Sequence, residues 1–285
     1  MSQTFDRHNA SPTTKGQHLV CLSVPHAGRE YPDWAADALN VPIAKTRSLE
    51  DRYADTLVGQ AIARGYTTLV ARTPRLIIDL NRAETDFEAA ILSGRSTLAA
   101  RPSVRARSGL GLVPDRLGSI GRLWKDRLSA SDLTARIATY HRPFHRALGD
   151  ALDAAYARHD LAILLDVHSM PSLLGEQPAD VVIGDLYGRA ADPVLVTGAS
   201  KLLSGHGLRV SYNQPYAGGH ILERHTRPKI GIHGLQIEID RRLYLDTKLD
   251  LPGEGAVRLA GIIADLADTL SESASSLRSW PIAAE

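Results

Sequence analysis

One cysteine, Cys21, occurs in 285 residues, so no disulfide can form within the chain and no multi-cysteine zinc site can be built. Charge of one sign is missing too. Thirty-three basic residues face 32 acidic ones, a net charge of +1, which removes any general electrostatic argument for nucleic acid or a membrane surface. No apolar run approaches membrane-spanning length, and the polar opening MSQTFDRHNASPTTKGQ lacks an apolar signal core. Nor is there a linker-like stretch, a low-complexity run or an internal repeat. These absences lead us to expect a soluble, cytoplasmic protein of enzyme size, with its oligomeric state left open. Residues 1–17 read as a disordered tail and 18–285 as one domain, although the length also admits two. At 44% hydrophobic residues, a substantial core is available.

Within that frame, Ile163-Leu164-Leu165 is a continuous apolar run bounded by Arg158-His159-Asp160 and Pro171. It predicts a strand buried on both faces in an α/β sheet. Asp166, His168 and Ser169 follow at its C-terminal end, where such sheets keep their sites. Asp166 and His168 are two apart and share a face. His168 is therefore either a satisfied buried histidine or a metal ligand with Asp166 to orient it. Leu19–Val24 predicts the first buried strand, running into Pro25-His26-Ala27-Gly28 on an exposed turn. From Leu49 a helix is expected to about Arg64, with Asp51 and Asp55 four apart on one face, or Asp51 as its cap. Thr67–Ala71 predicts a second strand. Pro74 introduces a third over 75–82, ending in Asp79, Asn81 and Arg82. Arg75 and Arg82 are candidate clamps for a substrate carboxylate, because a guanidinium fork can hold both oxygens. An internal Asp79–Arg82 pair is the alternative.

Residues 84–130 read as a long surface excursion carrying Arg95, Arg101, Arg105 and Arg107. Asp132 is expected to cap a helix running to about Arg158. In it His141 and His145 lie four apart, a spacing that can bind metal, with Pro143 between them to kink or break the helix. Further strands are expected over 180–184 and 209–212, flanking a helix that starts at Asp192-Pro193. Gly218 and Gly219, just before His220, mark either a close backbone approach to a ligand or a turn. Leu235–Ile239 alternates with period two and places Gln236 and Glu238 on one face. A carboxylate there needs a partner or a raised pKa, which makes Glu238 a candidate general base. An amphipathic helix over 255–273 covers the sheet.

Seven segments in this order resemble the N-formylglutamate amidohydrolase family: VPHAG from Val24, EDRYAD from Glu50, RLIIDLNR from Arg75, YHRPFH from Tyr140, LDVHSMP from Leu165, NQPYAGGHI from Asn213 and LQIEIDRRLY from Leu235. The resemblance implies the fold of the zinc exopeptidases and acylases, a three-layer α/β/α arrangement around a mixed, mostly parallel sheet. It further implies one Zn2+ held by His26, Asp51 and His168, with Asp55, Glu50 and Glu30 as alternative acidic ligands. Glu238 would then be the general base and Arg75 an oxyanion or second-carboxylate group. Substrate would be held by Arg82, Asn81, Gly218 and Gly219. The implied reaction is hydrolysis of N-formyl-L-glutamate to formate and L-glutamate, in histidine degradation. A zinc acylase or carboxypeptidase for another carboxylate-bearing amide, and a non-catalytic binding protein on the same fold, are the alternatives.

Overall fold

The computed structural model describes residues 3–9, 19–94 and 97–278. The chain divides into two compact units, each assembled from separate segments: Met1–Asp6, Pro25–Arg52 and Val70–Ala147 in one, Arg7–Val24, Tyr53–Leu69 and Leu148–Glu285 in the other. No helix among the described residues is long and apolar enough to cross a membrane.

The second unit holds most of the main sheet. The strands of this sheet are β1 (Phe5–His8), β2 (Val20–Val24), β3 (Thr67–Ala71), β6 (Ala162–Met170), β7 (Val181–Gly184), β8 (Val210–Tyr212) and β9 (Ile232–Asp240). The small ribbon of β4 (Arg116–Leu117) and β5 (Gly121–Arg122) lies apart from it. The order β1-β3-β2-β6-β9-β7-β8 puts β6 and β9 in the middle, where all nine residues of each are buried. Parallel pairing joins β2 to β6 and β6 to β9, whereas β7 runs antiparallel to β9. The sheet is thus mixed and mostly parallel, as expected. Register aligns Asp166 with Gln236 and His168 with Glu238, so these four polar side chains share one face. Leu165, Val167, Leu235, Ile237 and Ile239 take the other.

Helices cover this sheet. The helix Gly255–Arg278 packs on β2 and β6 alongside Pro193–Gly205 and Gly59–Ala63. Arg64 and Tyr66 both bond to Asp268, tying that helix to the chain entering β3. The short helix His220–His225 packs on β6 and β9. Gly234 permits the approach: a Cβ there would lie 2.6 Å from Thr226 Cγ2. Cys21 is fully enclosed in β2, and burial, only partly opposed by Arg7, pushes its thiol up to about 12. We expect no reaction of Cys21 with a thiol reagent in the native protein and full reaction in denaturant. Labelling at equal rates in both states would contradict this burial.

The first unit is made of turns and short helices around Ile77, Ile78, Leu112, Leu123, Leu133 and Phe144. Several expectations are corrected here. Segment 75–82 forms turns, not a strand, because its backbone bonds to neighbours outside any sheet: Asp79 N–H to Leu112 O at 2.7 Å, and Ile77 O to Arg136. The helix expected over 49–64 is broken into turns at Arg47–Leu49 and Ala54–Val58 and the short helix Gly59–Ala63, with Tyr53 left-handed at φ 56°. Asp51 and Asp55 therefore do not share a helical face. The cap expected of Asp132 belongs to Ser129, whose hydroxyl accepts from Asp132 N–H. That helix does break ahead of Pro143, as a wide π-turn over Ile137–His141, before continuing as Arg142–His159. Part of the expected tail, Phe5–His8, is strand β1, where Phe5 meets Phe144 edge-on at 5.6 Å. The rest of the tail over 10–17, and Arg95, lie outside the described residues. Arg101, Arg105 and Arg107 are exposed.

Candidate active site

His26 stands two residues beyond β2, but on a buried turn, not the exposed one expected; it is 3% exposed. The cause is Gly28, where a Cβ would fall 2.1 Å from Thr73 O, so the turn packs directly against the chain leaving β3. Its Nε2 donates to Asp79 Oδ1 at 2.7 Å, and its Nδ1 lies 3.6 Å from Asp51 Oδ2. Asp51 is drawn there by its own amide, which donates to His26 O at 2.9 Å. That bond accounts for the broken helix.

The other acidic candidates are engaged elsewhere. Glu30 is exposed beside Arg72, Glu50 accepts from Tyr31 and Arg52, and Asp55 is half-buried in its 3₁₀ turn.

Asp79 is a residue that sequence reasoning missed as part of the site. It is fully buried, accepts from His26, from Arg75 Nε at 2.7 Å and from Asn81 N–H at 2.8 Å. Burial alone would raise its carboxyl, but Arg75 and then His26 outweigh that and hold it well below the usual carboxylate range. An ionised Asp79 accepts only, so His26 Nε2 is the donor in this bond, and Nδ1 is the nitrogen on the Asp51 side. The available signal is the DLNR motif itself, in which an internal Asp79–Arg82 pair was only the alternative reading. The observed short pair is Asp79–Arg75, with Arg82 Nε at 3.9 Å.

Arg82 donates to Leu110 O and Asn81 O, and burial pulls its pKa down. His141, at the end of the π-turn, and His145, in the helix that follows, donate through Nε2 to Arg82 O and Leu80 O, at 2.8 and 2.9 Å, and together anchor this loop.

In the second unit the same device recurs. Asp166, fully buried, accepts from His168 Nε2 at 2.8 Å, the orienting role considered from the sequence. Nε2 is thus the nitrogen that His168 turns to its aspartate, as it is in His26. Glu238, beside His168 in register on β9, has the partner that its burial demanded: Gln236 Nε2 donates to it at 3.0 Å. Gly218 has φ +113°, and a Cβ there would meet Leu222 Cδ1 at 2.8 Å, so internal packing already accounts for this glycine. Gly219 precedes the helix His220–His225 in extended conformation. Within the first unit, His26 and Asp51 bring a ring nitrogen and a carboxylate oxygen within 3.6 Å, and the rings of His141 and His145 lie 4.2 Å apart, whereas His168 and His220 belong to the second unit.

The family model described as N-formylglutamate amidohydrolase matches residues 19–245. An N-formylglutamate deformylase of Pseudomonas aeruginosa is 27% identical over 239 residues, 81% of this chain and 84% of that protein. Another, of Pseudomonas putida, is 28% identical over 250 residues with the same coverage. Among solved structures, an N-formylglutamate amidohydrolase from Ralstonia eutropha JMP134 superposes with a TM-score of 0.88 at 29% identity, covering 96% of this chain and 99% of that one. A gene product of Agrobacterium tumefaciens, at 20% identity and a TM-score of 0.64 over 98% and 97% of the two chains, shares the fold.

Proposed function

The chain belongs to the N-formylglutamate amidohydrolase family, a family of amide hydrolases, and from that premise we propose that it hydrolyses N-formyl-L-glutamate at a single zinc held by His26, Asp51 and His168. The observation that carries the reading is the paired orientation of the two imidazoles. Each gives its Nε2 proton to a buried aspartate, His26 to Asp79 and His168 to Asp166, and so keeps Nδ1 as a ligand atom. Histidines that bind metals typically have their other nitrogen bonded to a carboxylate or carbonyl in this way. Chain continuity supports bringing them together: His26 follows β2, whose Ser23 is in register with Asp166, and His168 lies two residues further along β6. Two nitrogens and one carboxylate suit zinc with a coordination position left over. When bound, the metal would supply a Lewis acid and a water whose pKa is lowered to ~7.

The remaining work falls to the chain. Glu238 takes the proton of the attacking water and returns it to the departing amide nitrogen, so formate and the free amine of glutamate leave. Its place on β9 next to His168, inside a buried face, favours a proton-transfer role over a solvated one. Arg82 grips a substrate carboxylate, and Arg75 faces the oxyanion or a second carboxylate; both are also tied to the Asp79 loop, so each has a structural share. Asn81, Gly218 and Gly219 line the substrate side of this reading. Histidine degradation is the setting the resemblance implies.

The experiment is metal analysis of purified protein together with a formate-release assay, before and after chelation. One equivalent of zinc, and activity lost with it and restored on return, is the expected result. Full turnover by metal-free protein would overturn the reading.

Asp79→Asn provides a second check. An amide at this position can no longer hold the imidazole proton as strongly, so we expect metal affinity to fall about 10–100-fold, the usual cost of losing such a supporting carboxylate. Unchanged affinity in a competition titration against a chelator would show that Asp79 does not orient a ligand.

A further inference from the structure

Arg136 has no role in the chemistry above, yet it is buried to 8% exposure in the first unit. Its guanidinium carbon lies 4.8 Å from the Trp34 ring centroid and 4.7 Å from that of Trp124; the two rings stack at 6.2 Å. Two centroids this close together lie on one side of the guanidinium, so its N–H groups on the other side remain for hydrogen bonding. One edge donor, Nη1, bonds to Ile77 O at 3.0 Å. Among the described residues no carboxylate forms an ion pair with Arg136. The groups that face it along its own helix are Asp132, one turn before, and Tyr140, one turn after. Burial pulls its pKa down to about 10, the mark of a cation short of compensating charge.

This side chain lines a cavity of about 520 Å³, within the ~300–1,000 Å³ of ordinary small-molecule sites. Trp34, Trp124 and Leu128 provide apolar wall, and Trp34 is 42% exposed at the opening. Asp126, Arg127 and Asp132 are exposed at the rim, one cation against two acids, so the buried positive charge is the one inside. None of these residues belongs to the candidate active site.

We infer that this cavity is a second small-molecule site, which binds an organic carboxylate with an aromatic or other flat apolar body. The body lies against the indoles and the carboxylate meets the free edge of Arg136, a planar match that a neutral amide cannot reproduce.

The test is calorimetric titration of the full-length protein with 3-phenylpropanoate and, separately, with 3-phenylpropanamide. The acid should bind at least ~10-fold more tightly than the amide, the scale of one charge-assisted hydrogen bond. Arg136→Met, which keeps an apolar stem, should abolish that preference. Trp34→Ala, at an exposed position where folding is not at stake, should weaken both ligands several-fold. Equal affinities for acid and amide in the unmodified protein would overturn the inference, as would no saturable binding of the acid. So would displacement of the acid by N-formylglutamate, which would place it in the other site. Should Arg136→Met fail to fold, the acid–amide comparison and Trp34→Ala decide alone.

Discussion

His168→Ala should lose its stoichiometric zinc and, with it, about 10³-fold or more in kcat/KM, the kinetic equivalent of the ~4 kcal/mol that a Lewis acid supplies. Two effects combine. One of three protein ligands disappears, and Asp166 is left fully buried without the imidazole N–H that it accepts from at 2.8 Å. Leaving a buried charge unpaired costs about 3–5 kcal/mol, so the melting temperature should drop as well. His168→Gln separates the two effects, because its amide can still donate to Asp166 while binding metal poorly. The glutamine variant should therefore recover much of the stability and little of the activity. Retained stoichiometric zinc in either variant would move the metal to His141 and His145, whose rings lie 4.2 Å apart.

Glu238→Gln should do the reverse. Gln is nearly isosteric, and its carbonyl oxygen can keep accepting from Gln236 Nε2, at 3.0 Å in the native protein, so the fold and the metal content should stay. Turnover should fall by about 10²–10⁴, the usual contribution of a general acid–base group, with KM little changed. Arg82→Ala is the contrasting case. It removes a carboxylate clamp but also the bonds to Leu110 O and Asn81 O, so weaker substrate binding should come with some loss of stability. Measuring kcat, KM and melting temperature on both variants separates the roles. A destabilised Glu238→Gln protein with full turnover would end the assignment of Glu238 as the base.

What the sequence determined by itself was set by local pattern. Apolar runs at 20–24, 67–71 and 163–165, and the alternation through Gln236 and Glu238, are period signals that depend on near neighbours, and each became a strand of the sheet. The pairing of Asp166 with His168 was legible for the same reason, since two residues apart on a strand means one face. Tertiary structure alone decided the rest. RLIIDL reads as a strand by composition, but its backbone found partners at Leu112 and Arg136, far along the chain, and turned instead. EDRYAD reads as a helix, but the amide of Asp51 bonds to His26 O and the helix breaks there. The histidine-orienting role of Asp79 was hidden for the same reason, because its partner lies 53 residues away. Arg136 under its two tryptophans is a stronger case still: Trp34, Trp124 and Arg136 share no spacing that a pattern could detect. Propensity and periodicity report on neighbours in sequence, whereas a buried polar group is satisfied by whichever donor or acceptor folding brings within reach.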